Sequence, residues 1–150
     1  MYDILVIGAG VVGGLVAREL SRYELSVAIV EKCADVALGA TRANSAIVHA
    51  GFDAKEGSLK AKLNVRGCAM MEDLANRLSV EYKRPGALVL AFDDADMITL
   101  KKLYDNGVAN GVPGVEIISA EKVREMESNL ADNVVGALWA PSAGLIDPWG

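Results

Sequence analysis

The amino-terminal part of the chain carries short apolar runs on either side of a segment with helical periodicity. Residues 3–7 (DILVI) are a continuous run of leucine and β-branched residues, which predicts a central parallel strand buried on both faces. From residue 10 to about residue 23 the apolar positions recur at helical spacing and predict a helix. Residues 25–30 (LSVAIV) predict a second buried strand that ends at Glu31. This order predicts a parallel pair of strands joined by a right-handed crossover.

The rest of the chain alternates between helical and extended patterns. Residues 58–78 predict a long amphipathic helix. Its inward face is expected to consist of Leu59, Leu63, Met70, Leu74 and Leu78. The elements predicted after it are strands 81–83 and 86–92, helix 95–109, strand 115–118, a short helix from the cap Ser119 to about residue 127, and strand 134–140. In helix 95–109 the inward side chains are expected to be Met97, Leu100, Leu103 and Tyr104.

Composition and charge narrow the class of protein. With 52% hydrophobic and 23% charged residues, the chain has enough apolar material for one core, and disorder is not expected. Its 20 acidic residues outnumber its 15 basic residues and leave a net charge of -5. A chain with this balance has no general positive field to attract a phosphate polymer, so no nucleic-acid partner is expected.

Three features of the sequence bear on the cellular location of the protein. Its longest apolar stretch, residues 4–17, is shorter than the ~18 to 20 residues that a membrane-spanning helix needs, so no transmembrane segment is expected. Asp3 occupies a place where a signal peptide would carry positive charge, so no export segment is expected. Cys33 and Cys68 stand alone, without a second thiol or a histidine nearby, and are predicted to be reduced, partly buried thiols without a metal. These features together predict a cytoplasmic location.

Three glycines between the first strand and the first helix carry the first chemistry. Gly8, Gly10 and Gly13 have the spacing G-x-G-x-x-G. The first glycine permits a tight turn, the second lets a pyrophosphate approach the backbone, and the third lets helix and strand pack closely. Free N–H groups at the start of the helix then face the anion. The motif alone is weak evidence, because a glycine-rich helix start also serves close packing.

Glu31 strengthens the prediction of a dinucleotide site. It lies at the carboxyl end of the second strand, where its carboxylate can accept hydrogen bonds from ribose hydroxyls. An acid at this position also disfavours a 2′-phosphate and argues against NADP. Between Glu31 and Phe52 we expect no third strand and helix of a plain nicotinamide-binding fold. The small and hydroxyl-bearing residues there suit a loop and short helix along an extended ligand.

These features resemble the FAD-dependent oxidoreductases of the D-amino-acid oxidase and glycerol-3-phosphate dehydrogenase superfamily. The resemblance rests on GAGVVG at residues 8–13, Glu31-Lys32, ATRANS at residues 40–45, IVHAG at residues 47–51 and GSLKA at residues 57–61. Within the superfamily, NSAIVHAGFD followed by GSLKAKL is most similar to the branch with glycerol-3-phosphate dehydrogenase-like proteins and L-2-hydroxyglutarate oxidases. The fold implied is α/β: a Rossmann-like FAD-binding βαβ unit followed by the start of an α+β substrate domain.

The resemblance implies a cofactor, FAD, and roles for individual residues. Beside the three glycines, Val11 and Val12 would offer backbone N–H groups to the pyrophosphate. Glu31 and Lys32 would flank the adenosine ribose. The flavin side would be lined by Ala40, Thr41, Asn44, Ser45, Ala46 and Ile47.

His49, the only histidine of the chain, is the candidate catalytic residue. It would lie near the isoalloxazine ring or the substrate, where it could polarise a substrate hydroxyl, serve as a base or orient the flavin. The alternative is a histidine hydrogen-bonded within its loop. The role of Arg42 also has two alternatives: its side chain either contacts a phosphate group or is solvated.

The resemblance also implies an incomplete fold, because proteins of this superfamily are more than twice as long. Residues 1–80 would form the amino-terminal part of the FAD-binding domain and residues 81–150 the first part of the substrate-binding domain. The remainder of the polypeptide or a partner subunit would be needed. The implied activity is hydride transfer to flavin from a hydroxyl-bearing carbon of a polyol phosphate, first of all glycerol 3-phosphate. Alternatives are an L-2-hydroxyglutarate oxidase, another amine or hydroxy-acid oxidase, and a noncatalytic dinucleotide-binding fragment.

Overall fold

The computed structural model describes residues 1–149. They separate into two compact units, residues 1–45 with Trp149 and residues 46–148. The boundary predicted at residue 80 separates the FAD-binding domain from the substrate-binding domain of a complete enzyme. It is not tested by this division into compact units and stays a prediction. In the part of the chain described here, no helix has the length and hydropathy that a bilayer span requires.

The first unit is the predicted βαβ arrangement. Strand β1 (Ile4–Ile7) pairs in parallel with β2 (Val27–Val30), and helix α1 (Val11–Leu20) connects and packs against both. At the start of the pair, the Asp3 carboxylate accepts hydrogen bonds from the Ser26 backbone N–H at 2.8 Å and hydroxyl at 2.6 Å. The prediction of strand, helix and parallel strand is therefore confirmed.

Burial of β1 on both faces was a wrong expectation for this two-stranded sheet. Leu5 and Ile7 are 54% and 84% exposed, while Ile4 and Val6 are only partly covered. The reason is that this sheet has two strands within the described residues and α1 packs against it, so alternate side chains of β1 remain uncovered.

The segment after β2 also differs from expectation. Residues 31–46 form turns and bends and do not include the expected short helix. A two-residue strand, β3 (Ile47–Val48), then appears where no third strand was expected. Its partner lies far along the chain, so no local pattern could reveal it.

The second unit contains two antiparallel sheets and three helices. After β3, the order is α2 (Leu59–Leu78), β4 (Tyr82–Lys83), β5 (Ala87–Ala91), α3 (Asp94–Asn110), β6 (Glu116–Ser119), α4 (Ala120–Met126), β7 (Gly136–Ala140) and β8 (Gly144–Ile146). One sheet has the order β3-β8-β4 and the other β5-β7-β6. Each helix begins at a side-chain N-cap, namely Ser58, Asp93 and Ser119. These elements match the predicted series, except that β8 was not foreseen.

Helix α3 covers the β5-β7-β6 sheet as predicted. Leu100 is fully buried with Leu138 of β7, and Met97, Leu103 and Tyr104 pack partly buried around them. A smaller cluster joins Val123 of α4 to the same sheet. The inward face predicted for this helix is therefore confirmed.

The face predicted to be inward in α2 is wrong. Leu59, Leu63 and Met70 are 69%, 56% and 53% exposed. The buried residues lie on the opposite side of the helix and are small: Ala61, Cys68 and Ala75. Small side chains on this face let the helix lie close to its neighbours α3 and β4.

The two thiols have different environments. Cys68 is buried, and its Sγ donates to the backbone carbonyl of Ser142 at 3.1 Å. Cys33 is a free thiol that is exposed, so the expectation of partial burial does not hold for it.

Candidate FAD-binding site

The glycine turn of the first unit brings α1 directly onto the end of β1. Gly8 has a positive φ of 101°, which favours glycine, and its N–H donates to the Val30 carbonyl at 2.8 Å. A Cβ at Gly13 would lie 1.9 Å from the Gly8 carbonyl oxygen. The first and third glycines of the motif therefore perform the turn and packing roles predicted for them.

The amino terminus of α1 is suited to an anion. Its N-cap is Gly10, which contributes no side-chain cap, and the first turn carries no acidic residue. The N–H groups of a first helical turn have no partner within the helix and attract negative charge. Val11 and Val12, which begin this turn, are exposed. No acidic side chain of this first turn competes with an anion for these N–H groups.

Thr41 faces this helix terminus. Its Oγ1 accepts a hydrogen bond from the Val11 N–H at 3.0 Å, and a Cβ at Gly10 would lie 3.0 Å from the same oxygen. The hydroxyl oxygen therefore stands in for an acceptor such as a phosphate oxygen at the Val11 N–H. The family resemblance implied a position for Thr41 on the flavin side, and its contact with Val11 was not predicted.

Glu31, which directly follows β2, contacts the glycine turn through its side chain. Its two carboxylate oxygens accept from the N–H groups of Ala9 and Cys33, both at 2.9 Å. The hydrogen bond from Ala9, followed by that from Cys33, holds the pKa of the Glu31 carboxyl below its ordinary value. The Cys33 thiol and the Lys32 N–H also hydrogen-bond to this carboxyl and contribute to its lowered pKa. Ala9 was not identified from the sequence, because its role uses only the backbone.

Replacing Glu31 with glutamine is expected to weaken the first unit in a pH-dependent way. A glutamine has one acceptor oxygen for two N–H donors. Because the pKa of Glu31 is lowered in the folded state from 4.5, its contribution is fully present above about pH 4.5 and is lost as the pH falls through the folded pKa. The difference in unfolding free energy between parent and Glu31→Gln, measured with urea, should therefore shrink from pH 7 towards pH 3.

Glu24→Gln is the matched control, because it removes the same charge from the same unit. A difference between parent and Glu31→Gln that stays constant with pH would contradict the role assigned to the ionised carboxylate.

The remaining predicted residues of the first unit lie in the turns after β2. Lys32, Ala40 and Ser45 are exposed, and the Asn44 side chain donates to the Thr41 carbonyl at 2.5 Å. Arg42 is exposed, with its guanidinium 5.9 Å from the centroid of the Trp149 ring. The hydrogen bond from Asn44 to the Thr41 carbonyl stabilises the turn that contains Thr41.

Three predicted residues belong to the second unit. Ala46 has a positive φ of 61°, which is uncommon for a residue with a Cβ, and its carbonyl accepts from the Ile146 N–H at 3.0 Å. Ile47 pairs with Leu145 in the β3–β8 ladder and is exposed. The His49 side chain is exposed directly after β3, and its backbone carbonyl accepts from the Asn64 side chain at 3.3 Å.

The first unit fits a dinucleotide on its own geometry. It presents a helix terminus with backbone donors, a glycine, Gly13, at which a side chain would collide with the backbone, and an ionised carboxylate at the end of the second strand. This combination suits a pyrophosphate next to a ribose.

Comparisons with known proteins agree with this geometry. The model of the family described as FAD dependent oxidoreductase (DAO) matches residues 3–150. A glycerol 3-phosphate dehydrogenase of Caloramator mitchellensis is 56% identical over 149 residues, which are 99% of this chain and 31% of that protein. The mitochondrial L-2-hydroxyglutarate dehydrogenase of Caenorhabditis elegans is 34% identical over 99% of this chain and 34% of its own length.

A solved structure shows the same fold. Dithionite-reduced L-α-glycerophosphate oxidase from Mycoplasma pneumoniae, with FAD bound, superposes with a TM-score of 0.89 and 30% identity. The match covers 98% of this chain and 39% of that one. The chain thus spans about a third of the length of these relatives, at 31%, 34% and 39%. With the family model matched from residue 3 to the last residue, the chain belongs to the FAD dependent oxidoreductase family.

Proposed function

We propose that this chain is the FAD-binding part of a flavoenzyme that oxidises a hydroxyl-bearing carbon of a small substrate. The main support is the 56% identity to a glycerol 3-phosphate dehydrogenase over 99% of the chain. FAD, when bound, supplies the hydride acceptor for such an oxidation. The protein supplies binding, orientation and the handling of the proton from the substrate hydroxyl.

The first unit would hold the ADP half of FAD. The N–H groups of Val11 and Val12 would donate to the pyrophosphate, with its oxygen taking the place of the Thr41 hydroxyl at Val11. Glu31 would accept from the ribose hydroxyls at the end of β2, with Lys32 beside it. The exposed turn that contains Ala40, Asn44 and Ser45 would continue along the ligand.

By the resemblance, Ala46, Ile47 and His49 would lie on the flavin side. An exposed imidazole with its backbone fixed can polarise the substrate hydroxyl, accept its proton or orient the flavin. All three roles require His49 to be held in one place.

We further propose that the active enzyme contains polypeptide beyond these 150 residues. The chain covers 31% of the glycerol 3-phosphate dehydrogenase and 39% of the glycerophosphate oxidase chain. The first unit has only two strands, whose outer edges are unpaired within the described sheet. Further strands or a partner subunit would complete the cofactor site.

Glycerol 3-phosphate is the proposed substrate, and L-2-hydroxyglutarate is the second candidate because of the 34% identity to a dehydrogenase of that acid. The test is anaerobic mixing of the full-length, FAD-loaded polypeptide with each compound while the flavin absorbance near 450 nm is followed. We expect bleaching with glycerol 3-phosphate at a rate well above that with L-2-hydroxyglutarate.

Faster bleaching with L-2-hydroxyglutarate would reverse the order of the two substrates. No bleaching with these or with other hydroxy acids, polyol phosphates and amino acids, in a protein that retains FAD, would support a noncatalytic dinucleotide-binding role.

A further inference from the structure

Two asparagines on one helix hold the loop that follows His49. Asn106 and Asn110 lie one turn apart near the end of α3, and their side chains make five hydrogen bonds to the backbone of residues 51–56. Asn106 donates to the carbonyls of Phe52 and Ala54 at 2.6 and 2.7 Å and accepts from the Glu56 N–H at 3.1 Å. This loop is therefore fixed by side chains from a distant helix.

Asn110 completes the set of contacts. Its amide donates to the carbonyls of Gly51 at 2.9 Å and Ala54 at 2.6 Å. Between the two asparagines, a Cβ at Gly107 would lie 3.1 Å from the Phe52 Cβ, so the helix and the loop are in close contact. Only a carboxamide can donate two N–H groups and also accept, which a carboxylate or hydroxyl cannot reproduce.

The loop begins directly after His49. Upstream, β3 is fixed by its pairing with β8, and at His49 the backbone carbonyl accepts from Asn64. Downstream, Gly51 turns the chain at a φ of 106°, where its carbonyl meets Asn110. The backbone around His49 is thus held on both sides while its imidazole stays exposed.

We propose that Asn106 and Asn110 are positioning residues for the flavin reaction, because they fix the backbone on which His49 is presented. The proposal rests on the function proposed above. Neither asparagine needs to touch substrate or cofactor, and both would act through His49. If the two asparagines only attached α3 to residues 51–56, replacing them would lower the stability of the protein without changing the rate of reduction of each bound flavin.

Asn106→Asp is the variant of choice. It keeps the shape of the side chain but replaces the amide nitrogen, with its two N–H donors, by one carboxylate oxygen that faces the carbonyls of Phe52 and Ala54. In the full-length, FAD-loaded enzyme we expect the limiting rate of anaerobic flavin reduction to fall about tenfold or more, as small displacements of a reacting group do. The apparent substrate affinity should change less than the rate.

A double-mutant cycle separates positioning from attachment. In a His49→Gln background, Asn106→Asp should change the reduction rate less than about twofold, because the residue through which it acts is gone. The same non-additivity is expected in the flavin midpoint potential, which is measured by reductive titration and needs no substrate. Equal effects of Asn106→Asp in both backgrounds would overturn the proposal.

Two further variants control for charge and for stability. Ala109→Asp adds the same charge to the same helix end at an exposed position, and Val123→Ala removes buried volume from the other core cluster. Both should leave the rate per bound flavin unchanged, even though Val123→Ala lowers the melting temperature. A rate loss in Val123→Ala equal to that in Asn106→Asp would overturn the positioning role.

The outcomes distinguish this proposal from the proposed function. If the parent enzyme is not reduced by any substrate, the proposed function fails. The cycle in midpoint potential then still decides whether Asn106 acts through His49.

Discussion

Gly13→Ala is expected to abolish FAD binding and to destabilise the first unit by about 3 kcal/mol, the upper range for forced overpacking. The added Cβ would lie 1.9 Å from the Gly8 carbonyl oxygen and 3.4 Å from the Val6 Cγ1. The atom it meets is backbone, so no flexible side chain can move away. Helix α1 must instead shift from the turn, and the N–H groups at its start move with it.

Gly14→Ala is the matched control for this change. Gly14 is the next residue of the same helix, and its Cβ would meet nothing within 4 Å. Helix propensity alone favours alanine over glycine by about 1 kcal/mol, so Gly14→Ala should be neutral or stabilising. Urea unfolding and FAD titration of both variants measure the difference. Equal behaviour of the two would show that the close contact between turn and helix does not support the site.

Gly86→Ala is expected to cost about 3 kcal/mol more unfolding free energy than Gly111→Ala, because only the first change also forces a methyl group against the Trp139 ring. Both glycines have nearly the same positive φ, 76° and 77°, so both substitutions carry a similar backbone strain. At Gly111 a Cβ would meet nothing within 4 Å, whereas at Gly86 it would lie 1.9 to 2.7 Å from three atoms of the Trp139 ring. Chemical unfolding of both variants isolates the effect of the clash.

A double variant tests the cause assigned to this loss. Trp139→Leu removes the ring that the new methyl group meets, so Gly86→Ala should be less damaging in that background than in the parent. The measured quantity is again the unfolding free energy. If the loss on Gly86→Ala is the same in both backgrounds, contact with Trp139 is not its cause.

The βαβ unit could be predicted because its information is local. A parallel strand, a glycine turn and a helix each have a periodicity or a residue type that is visible within a few positions. The positions of Gly8 and Gly13 confirm this, since the turn conformation and the close helix contact are those that the motif predicts. The acid at residue 31 was found by its place at a strand end.

Contacts made by the backbone escaped the sequence analysis. Ala9 donates to Glu31 through its N–H, which any residue except proline could do, and Val11 donates to Thr41 in the same way. Asn106 lies inside the predicted helix 95–109 and Asn110 directly follows it, and neither was identified as a functional residue from the sequence. Their hydrogen-bond partners are in residues 51–56, which lie about fifty positions earlier in the chain, so no local pattern shows the contact.

The sequence by itself determined the order of the main elements, the glycine turn, the acidic strand end and the family to which the chain belongs. Each of these depends on residues close together in the chain. The tertiary structure alone decided which face of α2 is buried, which strands pair with β8 and which side chains hold the His49 loop. The physical reason is that Leu63 and Cys68 mark two apolar faces of one helix, and only the shape of the neighbouring elements selects the small-residue face.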